Sequence, residues 1–284
     1  MAKRFFSAVF LVVLTTQGRA ATLSDNFNTN ADYLANGVVG TIWDGVYFGA
    51  GEFANSGTGG GGPGATLQCD ANISAPDTLT IQSTGTAWEG ADDDGFFLFK
   101  VVQGDFSARV HVVTPYDHTG YNTAGLQVRA FSSGGNPFGG SEDYVSLTRF
   151  DQFGFNNYLR NEVNGVVSQI DTDTAAHNGS RAVPSNNDYW LRIDWDSGAK
   201  KFSFYESDSG AVWWPITNSP TLTRADFAGQ PLQVGIMHAT FNNQLGVQFS
   251  DFSITATNFD SFVMPPASPT ELIVTGSTNS ASVS

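Results

Sequence analysis

The segment WLRIDWDSGAKKFSFYES, residues 190–207, reads as one complete unit of a β fold. Leu191, Ile193 and Trp195 share one parity, while Trp190, Arg192 and Asp194 share the other. Strict alternation of this kind marks a strand with one apolar and one polar side. DSGAK (196–200) then supplies Asp, Ser and Gly for a hairpin turn, and Lys201 to Glu206 returns as the next strand. Such a unit must bury its apolar side against a second layer.

Outward from this hairpin the same texture repeats. Further strands are expected at Leu23–Phe27, Leu79–Ser83, Phe96–Val102, Phe106–Val113, Ala124–Phe131, Tyr144–Phe150, Phe153–Arg160, Gly165–Thr172, Leu232–Phe241 and Val247–Thr255. QGD (103–105) reads as a hairpin turn between two of them. Residues 28–64 read as loop-rich, with the glycine run GTGGGGPG at 57–64. No segment repeats apolar residues at helical spacing over a normal helix length. The expected class is all-β, an antiparallel sandwich of two sheets packed face to face.

The ends carry different signals. Lys3 and Arg4, the apolar run Ala8 to Leu14, and small residues Gly18 and Ala20 form an export signal over residues 1–20. Cleavage after Ala20 removes Lys3, Arg4 and Arg19 and moves the formal net charge from −14 to −17. A chain this acidic does not suit nucleic acid, which needs clustered Lys and Arg, and no segment is long and apolar enough to insert in a membrane. Cys69 is the single cysteine, so a disulfide framework is excluded. The sandwich is expected to span residues 21–262. Residues 263–284 open with a Pro-rich linker and one alternating strand, Leu272 to Val274, similar to the start of a fibronectin type III module. Covalently linked downstream modules are the corresponding expectation.

The segments ADDDGFFLFKVVQGDFSARVHV, TAGLQVRA, YVSLTRF, WLRIDWDSGAKKFSFYES, LQVGIMHATF and VQFSDFSI follow one another along the chain. In that order they resemble the concanavalin A-like lectin/glucanase superfamily, and most closely the accessory sandwiches of bacterial exported proteins and the C-terminal domain of some β-xylosidases. The resemblance covers roughly residues 22–258. It implies a jelly-roll sandwich that binds or processes polysaccharide, since this fold carries lectins, glycosidases and lyases alike. It also implies a structural Ca2+ between the terminal strands, carried here to Asp25 in SDNF and Asp251 in FSDF.

Catalytic signatures of that superfamily are not met. Retaining glucanases carry Glu-x-Asp-x-Glu on one strand, where alternation aims all three acids into one groove and the acid and nucleophile stand about 5 Å apart. Here Glu89 to Asp94 is interrupted by Gly90 and followed by Gly95, and reads as a turn entering the Phe96 strand. Asp194-x-Asp196 is a same-face pair, but it runs into the hairpin turn and lacks a third acid. YNTAGLQ, LRNEV and QID only superficially resemble alginate-lyase motifs, with Thr123 where a lysine and Asp171 where a histidine would stand. A Gly-x-Ser-x-Gly elbow is lacking, and His111, His118, His177 and His238 are scattered.

Parity assigns the remaining chemistry. With Leu126, Val128 and Ala130 inward, Gln127 and Arg129 lie on the other side; Asn156, Tyr158 and Arg160 are set apart in the same way, as are Trp190 and Arg192. Together with Trp88 at the rim, these residues are expected to form one non-core face that stacks aromatics on sugar rings and hydrogen-bonds hydroxyls. The parity of Leu232–Phe241 is ambiguous. The expected function is non-catalytic polysaccharide or glycan binding by a secreted or surface module; a glycoside hydrolase or polysaccharide lyase, and a structural or adhesion module, are the alternatives.

Overall fold

The computed structural model of the chain describes residues 20–47, 53–54, 65–86, 88–89, 92–93, 95–113, 122–130, 143–150, 156–163, 166–173, 189–216, 221–240 and 245–259. The expected leader over residues 1–19, the glycine run 57–64 and the tail beyond Phe259 lie outside the described residues. Within them the fold is almost wholly antiparallel strand, with one short helix at Tyr33–Asn36 and one 3-10 turn at Ala225–Phe227.

Strand pairing resolves into two layers. In the first, Gly45–Tyr47 lies beside residues 96–102, followed by Leu232–Thr240, Asn122–Ala130, Asp143–Phe150, Asn156–Val163 and Val166–Asp173. In the second, Lys201–Ser207 pairs with Tyr189–Asp196, then with residues 106–112, then Leu245–Phe259. The far edge of Leu245–Phe259 carries both Ala21–Asp25 and Leu79–Thr84, and the latter pairs with Ala65–Ala71. The apolar parity of each layer meets in one core, with Leu126, Val128, Val234 and Ile236 on one side and Leu191, Ile193, Trp195, Phe202 and Phe204 on the other. The two-sheet sandwich read from the sequence is the fold observed.

Three local expectations change. QGD is not a hairpin turn: Phe96–Val113 is one continuous strand that serves both layers. It bends at Gly104, whose φ of +81° suits glycine, and the neighbouring strand follows with register shifts at Ser250/Phe252 and Ala256/Asn258. Bulges of this kind let a strand turn a corner between sheets without losing its ladder. The loop-rich reading of 28–64 missed Ala31–Asp32, the helix capped by Asp32 and Gly45–Tyr47, and Ala65–Ala71 is a further strand. The acidic turn is a two-stranded ladder of its own, pairing Trp88 with Asp93 and Glu89 with Asp92.

Candidate functional site

The outer face of the first layer is built from odd-numbered residues on Gly45–Tyr47, 96–102, Leu232–Thr240 and Asn122–Ala130, and from even-numbered residues on Asp143–Phe150 and at Arg160. Register sets them in rows. One row runs Gly45, Phe99, Gly235, Gln127, Ser146, Arg160. The row on one side runs Tyr47, Phe97, Met237, Gly125, Thr148, and the row on the other runs Val101, Gln233, Arg129, Tyr144. The glycines leave bare backbone in the floor. A β-carbon at Gly235 would stand 1.8 Å from the Leu98 carbonyl oxygen, and one at Gly125 would stand 2.3 Å from that of Leu147.

This face is covered. Gln127, Gln233, Ser146, Thr148, Arg129 and Tyr144 are all buried, and the apolar residues of the same face, Tyr47, Phe97, Phe99, Val101, Tyr144, Met237 and Ala239, form a second cluster together with Trp88. Trp88, expected at a rim, is only 2% exposed. Its ring stands 5.3 Å from Tyr47 and 6.2 Å from each of Phe97 and Tyr144, centroid to centroid. Its carbonyl accepts from Tyr144 Oη at 2.8 Å and from Arg160 Nη1 at 3.3 Å. Arg129 places its guanidinium 5.6 Å from the Tyr47 ring and donates to Gln233 Oε1 at 3.5 Å.

On the same face are buried polar atoms with no hydrogen-bond partner: both amide atoms of Gln127, Ser146 Oγ, Thr148 Oγ1 and Gln233 Nε2. A buried donor or acceptor left unmade costs about 1–3 kcal/mol. Four neighbouring side chains on three adjacent strands bear that cost together. Sequence reasoning found Gln127, Arg129, Arg160 and Trp88 but missed Ser146, Thr148, Gln233, Tyr47 and Tyr144. A signal was present: FFLFKVV (96–102) and LQVGIMHAT (232–240) carry apolar residues on both parities, the pattern of a sheet covered on both faces. For Asn156 and Tyr158 only the backbone is described; register sets Tyr158 opposite Thr148 and Asn156 opposite Phe150.

Trp190 and Arg192 do not join this site. They stand on the outer face of the second layer, on the far side of the sandwich, because parity separates core from non-core without saying which sheet a strand joins. There the polar groups satisfy one another. Trp190 stacks on His111 at 4.4 Å and 3°, with the Arg109 guanidinium 5.7 Å from its ring. Arg192 donates to both oxygens of Asp194, at 2.9 and 2.5 Å, and sits between Tyr205 and Trp213. The hydrogen bonds to Asp194 push the Arg192 pKa above its ordinary value. Asp196 accepts from the Ala199 amide inside the hairpin turn. Both acids of the Asp194-x-Asp196 pair therefore serve local structure.

Asp25 and Asp251 border one cleft of about 420 Å³, together with Arg109, Trp190 and Ser253. Asp25 accepts from the Phe27 amide at 2.8 Å through Oδ1 and from the Trp43 indole at 3.0 Å through Oδ2. Its charge adds to burial in pushing the Tyr33 pKa far up, burial being the larger cause. Among the described residues no group of three or more His, Cys, Asp or Glu is placed to hold a metal ion. Calcium takes six to eight oxygens, and two carboxylates, one already holding an indole and an amide, do not fit that shell by themselves.

No family model matches the chain, and none of the curated proteins matches it. Among solved structures the chain is similar to a mutant of the GH43 protein BlXynB from Bacillus licheniformis, at 14% identity and a TM-score of 0.51, over 87% of this chain and 41% of that one. It is similar to basic winged bean lectin in complex with Tn-antigen, at 11% identity and a TM-score of 0.43, over 84% of this chain and 98% of that one. It is also similar to a functionally unknown protein from Saccharomyces cerevisiae, at 24% identity and a TM-score of 0.45, over 63% of this chain and 88% of that one. At such identities the likeness is one of architecture, and with the layer order above it establishes the chain as a two-layer antiparallel β-sandwich.

Proposed function

We propose that the chain is a non-catalytic glycan-binding module whose ligand lies on the outer face of the first layer. The observation that carries this reading is the cluster of unpartnered buried atoms on Gln127, Ser146, Thr148 and Gln233. Amides and hydroxyls both donate and accept, as the hydroxyls of a sugar require. Tyr47, Phe97 and Tyr144 beside them offer ring faces for the apolar side of a pyranose. Among the described side chains of this face there is no Asp or Glu, so the paired carboxylates of glycoside hydrolysis are not among them. The fold is shared with a GH43 protein, which agrees with a polysaccharide-related role without assigning one.

On this reading the module acts outside the cell. The export signal in residues 1–20 releases it, and residues 263–284 join it to a fibronectin type III-like module. The acidic balance argues against nucleic acid as a partner, and no described helix is long and apolar enough to cross a membrane. The test is to pass the mature protein over an array of plant, algal and microbial polysaccharides, scoring retention together with released reducing or unsaturated ends. Retention without product is expected. Release of product would overturn the non-catalytic reading and direct attention to Glu162, the acid that register sets opposite Tyr144.

A further inference from the structure

We infer that a cleft beside the first strand, walled by residues 24–42, is a second sugar-binding site that takes neutral saccharides, separate from the face that holds Gln127. The cleft has a volume of about 570 Å³, within the roughly 300–1,000 Å³ of small-ligand sites. Its wall is the stretch that composition marks as loop, yet the core fixes it in place. Phe27, Tyr33, Val38 and Trp43 are buried, and the Asp25 carboxylate joins one end of the stretch to the other by accepting from the Trp43 indole at 3.0 Å.

Several polar side chains of this stretch build the wall itself. Asp32 caps the short helix by accepting from the amides of Leu34 and Ala35 at 3.0 and 2.9 Å. Thr41 Oγ1 donates to the Val38 carbonyl at 2.7 Å and accepts from the Trp43 amide at 3.1 Å. Asn30 Oδ1 accepts from Asn72 at 2.6 Å. Asn26 and Asn36 do no such work: both line the cleft, and neither side chain makes a hydrogen bond to any described residue. Asn26 is presented by a constrained turn. The next residue, Phe27, adopts a φ of +53°, which a bulky side chain rarely takes, and its amide is held by Asp25 Oδ1 at 2.8 Å. Conformations of this kind persist where the surroundings enforce them and gather at ligand sites.

Beside these amides the wall is apolar. Gly37, at a φ of +66°, ends the helix and turns the chain, so that Val38 enters the core while Val39 stands 85% exposed at the cleft, next to half-buried Ile42. Amides that donate and accept suit sugar hydroxyls, and the two aliphatic side chains suit the apolar face of the ring. Charge then narrows the class. Among the described residues that line the cleft there is no Lys, Arg or His, and the one carboxylate, Asp25, already accepts on each oxygen. An anionic sugar would meet that carboxylate with no lining cation to offset it, on a chain of formal net charge −14.

The experiment follows the side-chain amide signals of the mature protein by NMR during titration with xylobiose, cellobiose and mannobiose, with digalacturonate as the charged probe. Asn26→Ala and Asn36→Ala assign the two amides. At least one neutral disaccharide should shift both, with a Kd of about 1–10 mM. Digalacturonate should bind about tenfold more weakly or worse. Val39→Ala, at a position outside the core, should weaken the neutral ligand about fivefold. The site is overturned if none of the three neutral disaccharides shifts either amide at about 20 mM. Equal affinity for digalacturonate would overturn the neutral class, and shifts that vanish in Gln127→Leu would move the ligand to the outer face. Loss of polysaccharide retention in Gln127→Leu with these shifts intact would show two independent sites, so the outer-face reading and this one fail separately.

Discussion

The two outer faces of the sandwich have similar residues and opposite situations. The second layer shows water a half-exposed face on which Trp190, Arg192, Asp194 and His111 find partners in one another. The first layer hides Gln127, Ser146, Thr148 and Gln233 from water and leaves both amide atoms of Gln127, the two hydroxyls and Gln233 Nε2 with no partner. An exposed polar side chain can always use water, and a mutual pair on a surface adds little. A buried one has no such recourse, so its presence calls for a reason outside folding. The lesson is that side-chain type alone does not separate the two faces; burial without satisfaction does, and on it the proposed binding face rests.

The sharpest contrast is at Gly235, whose missing side chain lets two strands of the covered face approach. Gly235→Ala should lose about 3 kcal/mol of stability, the upper end for overpacking, because its β-carbon meets the Leu98 carbonyl. Urea denaturation reads this directly, and a near-neutral result would mean that the floor of the face is not tightly built. Gln127→Leu should move stability and function in opposite directions. Retention on polysaccharide falls about 30-fold, equivalent to about 2 kcal/mol, while unfolding free energy rises by about 1–3 kcal/mol as an unsatisfied amide leaves the interior. A stability loss with retention intact would make the amide structural and erase the distinction between the faces.

On the opposite face, Arg192→Ala should cost about 1 kcal/mol, from one partly exposed ion pair and its ring contacts. Retention should not change; a tenfold drop would place ligand on this side as well. The smallest effect concerns the Asp25/Asp251 cleft between the terminal strands. Adding EDTA should leave Tm within about 1 °C, since a ligand that binds only the native state stabilises it measurably. A fall of several degrees would assign a cation to the cleft.

The alternation in residues 190–207 was enough to identify a two-faced strand and a hairpin, and Leu191, Ile193 and Trp195 do enter the core. The same rule placed Gln127, Arg129 and Arg160 correctly as non-core. It failed where parity is silent. Trp190 and Gln127 were grouped because both point away from the core, yet their strands belong to different layers. QGD carried the composition of a turn, but Gly104 bends a strand that continues, because the neighbouring Leu245–Phe259 strand bends with it through its own bulges. Nothing local in residues 103–105 encodes that partner.

Period, turn chemistry and the supply of apolar residues therefore determined by themselves that this chain builds an antiparallel sandwich, because those are properties of a strand and its immediate neighbours. Which strands share a sheet, which outer face is buried, and that Trp88 packs against it were decided only by tertiary structure. Those outcomes depend on contacts between residues far apart in the chain, such as Tyr144 Oη on the Trp88 carbonyl, 56 residues away. Burial and satisfaction are properties of such contacts, so the site became visible only once the layers had closed.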